Sequence, residues 1–127
     1  MSPHLSMVGL IVEDMGRALA FYRRLGLDIP PEADGRPHVE VKMAGGVTLF
    51  WDTAFVATYD PDREPPAGGS RMLPEFFFEG RGAIDAAYAD LTSHGYRGRR
   101  APFETVFGAY MAMVDDPDGN TVLITAG

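Results

Sequence analysis

Tyr110-Met111-Ala112-Met113-Val114-Asp115-Asp116-Pro117-Asp118-Gly119-Asn120-Thr121-Val122-Leu123-Ile124 places two apolar, strand-like runs around Asp-Pro-Asp-Gly-Asn. Pro117 fixes its own φ, and Gly119 and Asn120 tolerate positive φ, so the stretch predicts a β-hairpin with a mechanism for its turn. A weaker copy stands in the first half, Val41-Lys42-Met43-Ala44-Gly45-Gly46-Val47-Thr48-Leu49-Phe50-Trp51, again strand, glycine turn, strand. The sequence reads as one unit written twice.

The elements outside the hairpins support that reading. Met7 to Val12 predicts a strand, and Asp14 is a suitable N-cap for a helix in which Met15, Ala18, Leu19 and Tyr22 form one apolar stripe. Arg17, Arg23 and Arg24 are expected in water, and Leu25-Gly26 supplies the stop. Leu27-Asp28-Ile29-Pro30-Pro31 and Asp34-Gly35-Arg36-Pro37 are turn-rich, and Val39–Met43 with Val47–Trp51 makes the first hairpin, so the first module is βαβββ in outline with a short second strand. Residues Asp52 to Met72 lose all periodicity, and Gly68-Gly69-Ser70 and the prolines of 61–66 mark a linker, although Phe55, Val56 and Tyr59 imply that part of it lies on something. Glu75-Phe76-Phe77-Phe78-Glu79 opens the second module. A second helix follows, with Ile84, Ala87, Tyr88 and Leu91 as its stripe, Asp85 in its first turn and His94-Gly95 at its end. Tyr96 to Arg100 is loosely strand-like, and Pro102, Phe103, Glu104 and Phe107 belong to a loop. The expectation is an α+β domain spanning 1–127. Module one covers about 5–55, a linker 56–72 and module two 73–127, with the helices outside a curved mixed sheet that surrounds a cavity.

Composition narrows the function classes. With 127 residues and 46% hydrophobic content the chain can bury a core unaided. It has no cysteine, which removes disulfides, thiolate metal sites and cysteine nucleophiles. Eleven basic against 18 acidic side chains leave a formal charge of −7, which disfavours nucleic acid and anionic membranes and suits a cationic or neutral small molecule. No run is apolar enough to span a bilayer, and the expected location is the cytoplasm. There is no phosphate-cradling glycine loop, His-Glu-x-x-His helix or Ser-His-Asp motif.

Val8-Gly9-Leu10-Ile11-Val12-Glu13-Asp14, leading to Ala20-Phe21-Tyr22-Arg23-Arg24-Leu25-Gly26, together with the Asp116–Asn120 turn, resembles the vicinal oxygen chelate superfamily. That group includes glyoxalase I, extradiol dioxygenases and the bleomycin and fosfomycin resistance proteins. The resemblance implies two βαβββ modules around a cavity, in members that are commonly dimeric. Its enzymes hold a divalent metal with His, Gln or Glu, and the corresponding positions here are Met7, about Leu49, about Glu75, and Leu123. Only Glu75 is a metal ligand of that kind, and a catalytic metal needs two or three protein donors. The resemblance is therefore nearest to the metal-free bleomycin-resistance-type proteins, which bind a drug in an acidic, aromatic-lined crevice at a dimer interface. That implies no cofactor, no metal, a small-molecule ligand that is cationic or planar aromatic, and a homodimer.

Strand alternation gives the candidate ligand site. If Val8, Leu10 and Val12 lie under the helices, Met7, Gly9 and Ile11 face the cavity. On the same argument so do Leu49 and Trp51, Glu75 and Phe77, Tyr110, Ala112 and Leu123. Phe103 and Phe107 add rings from the loop, with Trp51, Phe77, Phe107 or Tyr110 available for stacking. Glu75 would face a ligand cation, with Glu104 and Asp52 as weaker candidates for that role. Alternatives are a metal-dependent enzyme with displaced ligands, built for instance on His4, His38 and Glu75, and an accessory subunit with a vestigial cavity.

Overall fold

The computed structural model describes residues 5–68 and 72–127. His4 and the linker residues Gly69 and Ser70 lie outside them. Two compact units are present, Met1–Arg23 with Leu27–Pro65, and Arg24–Gly26 with Pro66–Gly127.

In the first unit, β1 (Met7–Ile11) leads into helix α1 (Met15–Leu25), and β2 (His38–Lys42) and β3 (Thr48–Asp52) complete a mixed sheet of order β1-β3-β2. Asp14 caps α1 by accepting the Arg17 N–H at 2.9 Å. The expected stripe is buried, and Phe21 joins it, its ring edge-on to Tyr22 with centroids 4.9 Å apart. Gly26 adopts φ 126°, so the Leu27 N–H can close back on the Tyr22 carbonyl at 3.0 Å.

The short second strand does not form. Arg23, expected in water, instead donates to the Ile29 and Pro30 carbonyls at 2.8 Å each and pairs with Asp34 at 2.7 Å. These contacts hold the chain in a path that becomes a 3₁₀ turn at Pro31–Gly35. Among the described residues, 59–68 keep no helix or strand, but the first part of the 52–72 stretch is ordered as a 3₁₀ turn, Ala54–Thr58.

The second unit runs β4 (Glu75–Phe77), α2 (Arg81–Ser93), β5 (Gly98–Glu104), β6 (Tyr110–Asp115) and β7 (Thr121–Ala126), with sheet order β4-β7-β6-β5. Ile84 and Leu91 of α2 are fully buried, as are Ala112, Val114, Val122 and Ile124 of the sheet. This helix ends as α1 does, with Gly95 at φ 89° and the Tyr96 N–H on the Leu91 carbonyl at 3.2 Å. Asp85 lies beyond the first turn and accepts the Tyr110 hydroxyl at 2.6 Å. Pro102, Phe103 and Glu104 belong to strand rather than loop, in a β5 whose pairing to β6 shifts register twice. Proline is tolerated there because β5 is an edge strand.

The closing hairpin forms at the expected place, with a different division of labour in its turn. Only Gly119 takes positive φ, at 81°. Asp116 organises the rest. Its Oδ1 accepts the N–H groups of Asp118 and Asn120 at 2.9 Å each, and its Oδ2 accepts the Asn120 side-chain amide at 2.9 Å. The architecture is α+β, two βαβββ-like modules with one helix and one mixed sheet each.

Candidate functional site

Register decides which side chains share a face. In the first unit Val8 pairs with Leu49 and Leu10 with Trp51, and the Trp51 ring packs on Tyr22 of α1 with centroids 5.1 Å apart. Leu49 and Trp51 therefore lie on the helix side with Val8 and Leu10, buried, and not on the helix-free face where alternation alone placed them. The helix-free face carries Met7, Gly9 and Ile11 from β1, Thr48, Phe50 and Asp52 from β3, and His38, Glu40 and Lys42 from β2. Gly9 has a steric reason: a Cβ there would fall 2.0 Å from Cζ of Phe50, whose ring lies across it.

His38 and Asp52 are direct cross-strand partners, and Nδ1 of His38 hydrogen-bonds Oδ1 of Asp52. Nε2 reaches Oε2 of Glu40, two residues along the same strand, at 2.7 Å. The Tyr59 hydroxyl donates to the other Asp52 oxygen at 2.5 Å. Asp52 is wholly buried, whereas half of the Glu40 side chain is exposed. The imidazole lies against Phe50 and Phe55, with ring centroids 5.6 and 5.0 Å away. So the apolar part of the supposed linker does lie down, on His38 and Asp52.

The Glu40 hydrogen bond raises the pKa of His38. Partial burial opposes that, and Asp52 adds to it through its own bond and charge. The bond to Asp52 likewise pushes the Tyr59 phenol up to about 12.

In the second unit Tyr110, Ala112 and Val114 pair with Ala126, Ile124 and Val122, and the Tyr110 hydroxyl reaches α2. Tyr110 and Ala112 are thus on the helix side, contrary to expectation. Arg81 of α2 stands 5.1 Å from the Tyr110 ring centroid and pairs with Glu104 at 2.7 Å. The bond to Asp85 also raises the Tyr110 pKa. The helix-free face carries Glu75 and Phe77, Leu123 and Thr125, Met111 and Met113, and Phe103 with Arg100. Glu75 accepts from the Thr125 hydroxyl at 3.2 Å. Arg100 sits 3.7 Å over the Phe103 ring, so that ring already has a cation. Phe77 is 66% exposed and Phe107, at the tip of the β5–β6 turn, is 74% exposed.

The residues at the implied metal positions do not fit a metal. Leu49 faces the helix, Leu123 lies beside Glu75, and Met7 offers only a thioether. Among the described residues no three His, Asp or Glu side chains come together to hold an ion. Glu40 and Asp52 approach opposite nitrogens of His38 and so share no point of coordination.

Sequence reasoning passed over Glu40 and saw Phe50, Asp52 and Tyr59 only as separate residues. The available signal was the spacing His38-x-Glu40, which puts both side chains on one face of a strand.

Two modules of strand, helix and strands, each with one sheet face left free of helix, define a fold class that known proteins share. The model of the glyoxalase/bleomycin resistance protein/dioxygenase superfamily matches residues 4–124, and this chain belongs to that superfamily. Among solved structures, a hypothetical protein from S. aureus superposes with TM-score 0.80 at 17% identity, covering 100% of this chain and 95% of that one. A family enzyme from Burkholderia phytofirmans gives 0.79 at 20%, covering 98% of each. A lactoylglutathione lyase from Agrobacterium tumefaciens gives 0.61 at 19%, covering 100% and 96%. At these identities the likeness is one of fold. No curated protein matches the sequence.

Proposed function

We propose that this chain is a metal-free binding protein of the bleomycin-resistance kind, which sequesters a planar, cationic small molecule as a homodimer. The observation that carries this reading is the helix-free face of the second sheet. There Leu123 occupies a position that metal-dependent relatives would give to Glu, and the exposed ring of Phe77 stands on the same strand as the Glu75 carboxylate. An aromatic face supplies stacking area and a neighbouring carboxylate orients a positive charge. Met111 and Met113 provide an adaptable apolar floor on the same side. Phe103 lies on the same face with the Arg100 guanidinium 3.7 Å over its ring.

Calorimetric titration with a panel of cationic, planar antibiotics tests the reading. Binding tighter than millimolar is expected for at least one, with Phe77→Ala weakening it about tenfold, the effect of losing one stacked ring. Millimolar or weaker binding across a broad panel would sink the proposal. Near-stoichiometric metal in protein purified without chelators, lost in Glu75→Ala, would favour an enzyme instead.

A further inference from the structure

The first unit carries a second, chemically different constellation, and its asymmetry is informative. Both ring nitrogens of His38 meet carboxylates, which accept and never donate, so both bonds are made only when both nitrogens carry hydrogen. When protonated, the form its raised pKa favours, the ring is an imidazolium that donates to both carboxylates. One donor is permanently committed: Asp52 is buried, stands opposite His38 in the strand register, and has its other oxygen held by Tyr59. The other donor is not. Glu40 is half exposed, sits on an edge strand, and can release Nε2 by rotating its side chain into water.

We propose that His38 Nε2–H anchors a binding site for an aromatic carboxylate, with Glu40 acting as a tethered stand-in that the ligand displaces. The exchange puts one carboxylate in place of another on the same N–H, so no buried charge is left unpaired. Phe50 and Phe55 lie against the imidazole, with ring centroids 5.6 and 5.0 Å away, and flank the donor with apolar surface. Phe55, whose ring centroid is 5.0 Å from that of the imidazole, is 38% exposed and has the Tyr59 ring 6.3 Å beyond it, which offers apolar surface for the flat body of such a ligand. The fixed Asp52 bond sets which nitrogen faces outward, so recognition needs no rearrangement of the ring. This site is independent of the Phe77 surface and stands whether or not that surface binds drugs.

The test is a titration of the full chain with sodium benzoate at pH 5.5, followed by the His38 imidazole NMR resonances. At that pH, below the ordinary histidine value of about 6.5, the ring is protonated in the wild type and in Glu40→Gln alike. Glu40→Gln is expected to bind benzoate about fivefold tighter, the size of one exposed ion pair, because the internal competitor has lost its charge. His38→Gln should lose the binding, and neutral benzamide should fail against the wild type. Phe55→Ala, which leaves the ionic trio intact and keeps the test open if His38→Gln does not fold, should reduce benzoate affinity to that of acetate. Phe77→Ala should leave benzoate binding unchanged. Unchanged or weaker binding by Glu40→Gln, or benzoate binding that leaves the His38 resonances unmoved, would overturn the proposal.

Discussion

Asp52 is the residue on which the first unit's polar chemistry turns, because it is wholly buried and two groups depend on its charge. His38 has a raised pKa in the fold, so its contribution to stability is fully present below about pH 6.5 and is lost as pH rises through its higher folded value. Tyr59 follows the same rule further up the scale: its contribution persists to about pH 10 and disappears as pH passes about 12. Asp52→Asn should therefore bring Tyr59 ionisation back toward that of free tyrosine, read as phenolate absorbance in an alkaline titration. An unchanged titration would contradict the hydrogen bond. Gly9 offers a second test at this scale. Gly9→Ala must push the Phe50 ring aside and is expected to cost about 1–3 kcal/mol by overpacking. Phe50→Leu in the same chain should recover part of that loss, and a double-mutant cycle on denaturation midpoints measures the coupling.

At the scale of elements the closing turn is the best-defined piece. Asp116 holds three donors across it, so Asp116→Ala should destabilise the chain by about 2–3 kcal/mol, measured by urea unfolding, while Asp116→Asn keeps an acceptor and costs less. That turn was legible because Asp-Pro-Asp-Gly-Asn states its own geometry locally. Both helices were legible for the same reason: their stripes and glycine stops lie within the segment that folds. What sequence could not supply was the facing of β3 and β6. Thr-Leu-Phe-Trp-Asp is apolar on both sides of the strand, and period two does not say which side is which. The choice is made by distant partners, by Tyr22 receiving Trp51 and by Gly9 leaving room for Phe50. Tyr110 was misplaced for a related reason, since its hydroxyl goes to Asp85, far away in sequence. The missing strand after α1 was decided by Arg23, whose reach to Ile29 and Pro30 no periodicity reveals.

For the whole molecule, the exposed apolar side chains of the second unit are the feature to explain. Val106 and Phe107 project from one turn and Phe77 from the sheet, a hydrophobic display of the kind that marks association surfaces. Sedimentation velocity at micromolar concentration is expected to give a dimer, and Phe107→Ser to shift it toward monomer; a wild-type monomer would remove the crevice-forming dimer from the proposed function. The sheet order has a further consequence, for the order of folding. In each unit the first strand pairs in parallel with the last: Met7 meets Thr48, and Glu75 meets Leu123. The antiparallel hairpins, β2–β3 and β6–β7, close over short turns, whereas the parallel pairings must wait until nearly the whole unit exists and then bear the entropy of a long loop. A nascent chain would therefore hold β1 and β4 unpaired until the hairpins arrive to receive them, which makes these two strands the late steps of assembly.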